Sequence, residues 1–119
     1  MPVRLSTTIG KIDYISNSKN AETIKEFHHF MKSSNAAEKH INNNLKIIMS
    51  FTNTLGENEY LGDVKRSHVI NFLDSKIKTP EEDPDKKWIT TWNVYLNHLK
   101  YFFRWLHNEY NNRNKLNAY

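Results

Sequence analysis

Five side chains between Trp88 and Asn108 fall on one line of a helix: Asn93, Asn97, Lys100, Arg104 and Asn108, spaced three or four residues apart. An Asn amide can pair bidentately with adenine and an Arg guanidinium with guanine, while Lys and Thr suit phosphates. The set therefore has the chemistry of a helix seated in a major groove. A second line, Lys39, Asn43, Lys46, Ser50 and Asn53, repeats these residue types. Two such rows on neighbouring helices would grip backbone and groove together. Either row also suits an ordinary solvated face, because any surface helix must put polar residues somewhere. Thr90 and Thr91, near the expected start of the last helix, would cap it or hold a phosphate through hydroxyls and free N–H groups.

No other constellation has reactive spacing. The six His (His28, His29, His40, His68, His98, His107) contain no HExxH pair, which predicts structural or surface roles and no metal site. Glu81, Glu82, Asp83 and Asp85 sit in a Pro-bounded polar run and read as solvated loop charge. There is no Cys, so thiolate ligands, disulfides and Cys nucleophiles are excluded. No P-loop, dinucleotide fingerprint or activated Ser is present, and the expectation is a non-enzymatic chain without a cofactor.

The elements that must position the two rows follow from apolar period. Ile24, Phe27, Phe30 and Met31 predict a helix from Asn20 to Ser33-Ser34. Asn35 followed by Glu38 resembles a capping box, so a second helix is expected from about Ala36. It would bury Ile41, Leu45, Ile48, Met49, Thr52 and Leu55 and stop at Gly56. A third helix over about 65–77 would bury Val69, Phe72, Leu73 and Ile77, capped by Asp63 or Ser67. KTPEEDPDKK reads as an exposed loop. The last helix packs through Trp92, Tyr95, Leu96, Leu99, Phe102, Phe103 and Leu106, with a cap near Thr90, and fades beyond Asn108. Trp88, Tyr101 and Tyr110 are not assigned by period to core or surface. Residues 1–19, with VRLSTT and KIDYI around Gly10, read as two short strands or an extended arm. The fold class is all-α: a small orthogonal bundle of four to five helices over 20–110, with residues 111–119 as a tail.

At 119 residues the chain can bury a core without staples. Its +4 charge is concentrated at the two ends, with about +2 over 1–19 and about +3 over 88–119. That distribution favours an anionic partner. The start lacks the apolar run of a secretory signal, and no stretch approaches the roughly 18 apolar residues of a membrane span. A soluble, cytoplasmic protein with no membrane partner is expected.

TTWNVYLNHLKYFFRWL resembles the closing helix of the core-binding (SAM-like) domain of tyrosine recombinases, the phage-integrase and Xer family. Thr91 falls on the family Thr, Leu96 and Leu99 on two spaced Leu, Phe102 on the Phe, and Trp105-Leu106 on the aromatic-Leu end. The Phe-Arg-Trp-Leu ending looks especially like archaeal members. NAETIKEFHHFMKSSN resembles the family's opening helix, AAEKHINNNLKIIMSFTNTLG its Tyr/Leu/Phe-anchored helix, and VKRSHVINFLDSKI its Thr-x-x-Asp-Ile segment. Ala37 stands where many members have Thr, Ile41 where they have Tyr, Ile48 where they often have Phe, and Lys65 to His68 replace Thr-x-x-Asp.

The resemblance implies a helical domain that lays two helices on adjacent major-groove surfaces of double-stranded DNA. It puts Lys39, Asn43 and Lys46 on one and Thr91, Asn93, Asn97, Lys100 and Arg104 on the other. It also implies that the Arg, Lys, His and Tyr of strand cleavage belong to a separate C-terminal catalytic domain following the tail. Partners would be duplex DNA, that catalytic domain and other recombinase protomers, in the cytoplasm with the nucleoid. A helical protein-interaction module is the alternative, and would require Tyr101, Trp105 and Tyr110 to form an exposed apolar patch.

Overall fold

A computed structural model describes the backbone of residues 4–117 and the side chains of residues 4–108. Among the described residues there are five α-helices, two 3₁₀ turns and no strand. The helices are α1 (Leu5–Lys11), α2 (Ser18–Ser33), α3 (Glu38–Thr52), α4 (Arg66–Asp74) and α5 (Lys87–Asn117).

The first segment is the main departure from expectation: α1 and a 3₁₀ turn at Ile12–Tyr14 stand where strands or an extended arm were expected. Leu5, Thr8, Ile9 and Ile12 recur at helical spacing, and Thr8 and Ile12 are buried. The β-branched Thr-Thr-Ile run argues locally for a strand, and a seven-residue helix is unstable alone. Docking on α3 overrides both effects. Thr8 Oγ1 lies 2.6 Å from Asn42 Oδ1 of α3 and 3.2 Å from the Arg4 carbonyl, tying the two helices together.

Asn17 caps α2, its side chain accepting from the Asn20 N–H at 3.0 Å, so the helix starts slightly before Asn20. Ala21, Ile24, Phe27 and Met31 form its buried stripe. Buried Asn20 clamps the 53–65 loop: its amide donates to the Glu59 carbonyl at 2.9 Å and accepts the Leu61 N–H at 2.9 Å. Leu61, in the second 3₁₀ turn, is thereby held in the core.

Asn35 does not open α3. Its φ is 58°, and the Asn35 and Ala36 N–H groups reach back to the Lys32 and Met31 carbonyls, so it ends α2 as a left-handed C-terminal residue. Ala37 holds the N-cap position of α3 without a side-chain bond. Along α3 Ile41, Asn44, Leu45, Ile47, Ile48, Met49, Phe51 and Thr52 are all buried, and α1, α2 and α5 each pack on it. The helix stops at Thr52, before Leu55 and Gly56, and Leu55 is half-buried.

α4 is shorter than its apolar pattern suggests. Phe72 and Leu73 are buried, but Ile77 lies beyond the last turn and is 49% exposed. Its first turn is closed by the Lys65 N–H donating to His68 Nδ1 at 3.1 Å, in place of Asp63 or Ser67. The 75–86 segment is a loop, and within it Asp83 Oδ2 accepts the Trp88 N–H at 2.8 Å. That bond caps α5 from Lys87, so Thr90 is already inside the helix. At its other end α5 continues to Asn117, through most of the segment expected to be a tail.

Phe27 is the centre of the aromatic core, meeting Phe102 edge-on at 4.9 Å, Trp105 at 5.1 Å and Tyr101 at 5.6 Å. Phe51 joins Phe72 at 5.4 Å and Phe103 at 5.9 Å, linking α3, α4 and α5. Such edge-to-face pairs contribute about 0.5–1.5 kcal/mol each beyond area burial. The periodic assignment of the α5 packing face holds: Leu99 and Phe102 are buried, and Trp92, Tyr95, Leu96, Phe103 and Leu106 pack against them.

Candidate nucleic-acid interface

The two rows lie on opposite flanks of their helices from the core. On α3, Lys39, Asn43 and Ser50 are exposed and Lys46 is half-buried, facing away from Leu45 and Ile48. On α5, Asn93, Asn97, Lys100 and Arg104 are exposed, away from Leu99, Phe102 and Trp105. Thr90 extends this row, being three residues before Asn93. Thr91 is also exposed but lies on the line of Tyr95 and His98, the flank turned toward α3. Neither Thr caps the helix, and their backbone N–H groups lie within it, so phosphate binding by a free helix start is not available to them.

Charge on these surfaces is uncompensated. From Lys87 to Asn108 α5 carries Lys87, Lys100 and Arg104 and no carboxylate. The ion pairs among the described residues, Lys25–Asp13 at 2.7 Å and His68–Glu59 at 3.0 Å, leave Lys39, Lys46, Lys100 and Arg104 unengaged.

A polar bridge that the sequence did not reveal holds the two helices together. Asn44 is fully buried, and its Nδ2 donates to the His40 carbonyl at 2.9 Å and faces His40 Nε2 at 3.1 Å. Its Oδ1 lies 2.6 Å from His98 Nδ1 on α5. The His40 carbonyl can only accept, which orients the amide. His98 must then carry its proton on Nδ1, and His40 Nε2 must be bare. Burial, then the neighbouring His40, lowers the His98 pKa below its ordinary 6.5 and favours the neutral ring, for which the bond to Asn44 selects the Nδ1–H tautomer.

The bridge fixes where α3 and α5 are joined. Asn43 and Asn97 each adjoin a bridging residue in the chain, and Ser50 and Arg104 each adjoin one of the Phe51–Phe103 pair, so both rows belong to helices packed on one another at two levels. The two helices are in contact from His40, which faces His98 and Tyr101, to Phe51, which meets Phe103, about 16 Å further along α3. The spacing of the Asn and His residues could have suggested the bridge, but three adjacent Asn (Asn42, Asn43, Asn44) look alike until packing selects one.

Of the aromatics left unassigned by period, Tyr101 packs half-buried on Phe27 and Phe30, Trp88 is half-buried, and the Tyr110 side chain lies outside the described residues. No group of His, Asp and Glu among the described residues could hold a metal ion. No helix among them is long and apolar enough to cross a membrane. Comparison with protein-family models, curated proteins and solved structures finds no match to this chain.

Proposed function

We propose that this chain binds double-stranded DNA as the core-binding domain of a site-specific tyrosine recombinase, positioning the duplex while a separate catalytic domain cuts and rejoins it. The observation that carries the reading is the pair of carboxylate-free polar rows on the outer flanks of α3 and α5, two helices joined by the Asn44–His98 bridge. Their residue types match the needs of a duplex: Asn and Arg for base edges, Lys, Ser and Thr for the backbone. The order of the family-like segments supports it too, since each lies largely within one helix, from α2 to α5.

On this reading the chain is not itself an enzyme and needs no cofactor, and it works in the cytoplasm with the nucleoid. Its partners are the catalytic domain of the same protein and further protomers on DNA. A protein-interaction module is less well supported, because Trp105 is buried at 8% exposure and Tyr101 packs inward, so neither offers the apolar patch that role requires.

Fluorescence-anisotropy titration of duplex DNA across a salt series tests the proposal. Affinity falls as salt rises, because bound cations displace condensed counterions. Lys100→Ala and Arg104→Ala each weaken binding and flatten the log–log slope, by about 0.9 for each phosphate no longer neutralised, without lowering the unfolding midpoint. Absence of salt-dependent duplex binding, both for the chain alone and fused to a recombinase catalytic domain, would overturn it.

A further inference from the structure

We infer that α1, outside the segments that resemble the recombinase family, belongs to the DNA-facing surface, and that the groove between α1 and α3 seats a backbone phosphate of the duplex. The inference rests on the duplex-binding reading above. The groove has a volume of about 480 Å³ and is lined by Thr8, Lys11, Lys46, Met49, Ser50 and Asn53. Two lysines, one from each helix, thus line it. Met49 is nearly buried and walls it, while Ser50 and Asn53 add neutral hydrogen-bond donors.

The lining discriminates among ligand classes. It contains no carboxylate, so it offers nothing anionic to a metal cation. Asp13, the acid nearest α1 in sequence, is paired with Lys25 at 2.7 Å. An apolar ligand would have to desolvate Lys11 and Lys46, which is costly. A phosphodiester brings one negative charge and several acceptor oxygens, which Lys and hydroxyl donors match.

Continuity with the proposed interface identifies the source of that phosphate. Lys46 and Ser50 belong both to the groove and to the α3 row, so a strand lying along the row passes over the groove. α1 is fixed there by buried Thr8 and its 2.6 Å contact with Asn42. Lys11, exposed at the last turn of α1, extends the row by one cation.

The test compares Lys11→Ala, Lys46→Ala and, as a control away from the groove, Lys19→Ala, whose ammonium lies over the Tyr60 ring, in salt-dependent duplex titrations. Far-UV circular dichroism checks that each variant folds. Removing the cation from one phosphate lowers the slope by about 0.9, which amounts to about eightfold weaker binding at 0.1 M salt if the contribution vanishes at 1 M. Lys11→Ala and Lys46→Ala should both show this change, and Lys19→Ala should not. Duplex binding that Lys46→Ala weakens but Lys11→Ala leaves untouched overturns the role of α1 while duplex binding stands. Failure of the unsubstituted chain to bind duplex overturns both. A third arm titrates inorganic phosphate alone: amide shifts at Lys11 and Ser50 as large as those from duplex at equal phosphate concentration would mark a free-anion site and refute the assignment.

Discussion

Replacing Asn44 by Ala should loosen the α3–α5 crossing more than any exposed substitution, because this fully buried amide serves partners on both helices. The variant loses the 2.6 Å bond to His98 Nδ1 and the Nδ2 contacts with His40. At about 1 kcal/mol net for each of two hydrogen bonds, plus about 1–2 kcal/mol for an imidazole N–H left partly buried without a partner, the cost is about 3–4 kcal/mol. The His40 carbonyl adds little, since it still accepts within its helix. Urea unfolding followed by Trp fluorescence reads this directly, as Trp105 lies in the core beside Phe27. A double-mutant cycle with His98→Ala isolates the bridge and should give a coupling of about 1–2 kcal/mol. An Asn44→Ala cost below about 1 kcal/mol, or a coupling indistinguishable from zero, would refute the view that this network holds the crossing.

Two further outcomes follow from the same packing. Because the folded His98 pKa is lowered, mainly by burial, the unfolded chain takes up the proton first. The stability from this group is complete above about pH 6.5 and is lost as pH falls from there through the lower folded value. Urea midpoints for the wild type and His98→Gln should therefore converge on acidification through that window, and a constant difference would count against it. Phe102, fully buried and in contact with Phe27, Phe103 and Trp105, should cost about 3–5 kcal/mol when cut to Ala, a loss that calorimetry would detect. A cost under about 1 kcal/mol would show that the surrounding rings collapse into the space.

Helix–helix packing was legible where apolar residues repeat over several turns. Leu99, Phe102 and Phe103 on α5, and Ile41, Leu45 and Ile48 on α3, fall on the expected faces because only one flank of each helix is apolar. The same logic identified the exposed rows, since Lys39, Asn43, Asn97, Lys100 and Arg104 are what those faces leave outside. Boundaries were harder to read. Asn35 suits either a cap or a left-handed stop, and only its φ of 58° shows it ending α2. Thr90 looked like a cap because Thr favours that role, yet Asp83 reaches the Trp88 N–H from across the loop.

By itself, the sequence determined that the chain is helical, which faces are apolar, and which polar residues must lie opposite them. Those features depend on contacts within a turn or two of the chain, so spacing encodes them. The tertiary structure alone decided that Leu5–Lys11 is a helix, that Asn44 of three adjacent Asn turns inward, and that it joins α3 to α5 at His98. Each depends on a partner more than thirty residues away: Thr8 meets Asn42, and Asn44 meets His98. Local propensity carries no record of such pairings, and where it opposes them, as in the Thr-Thr-Ile run, packing on α3 prevails.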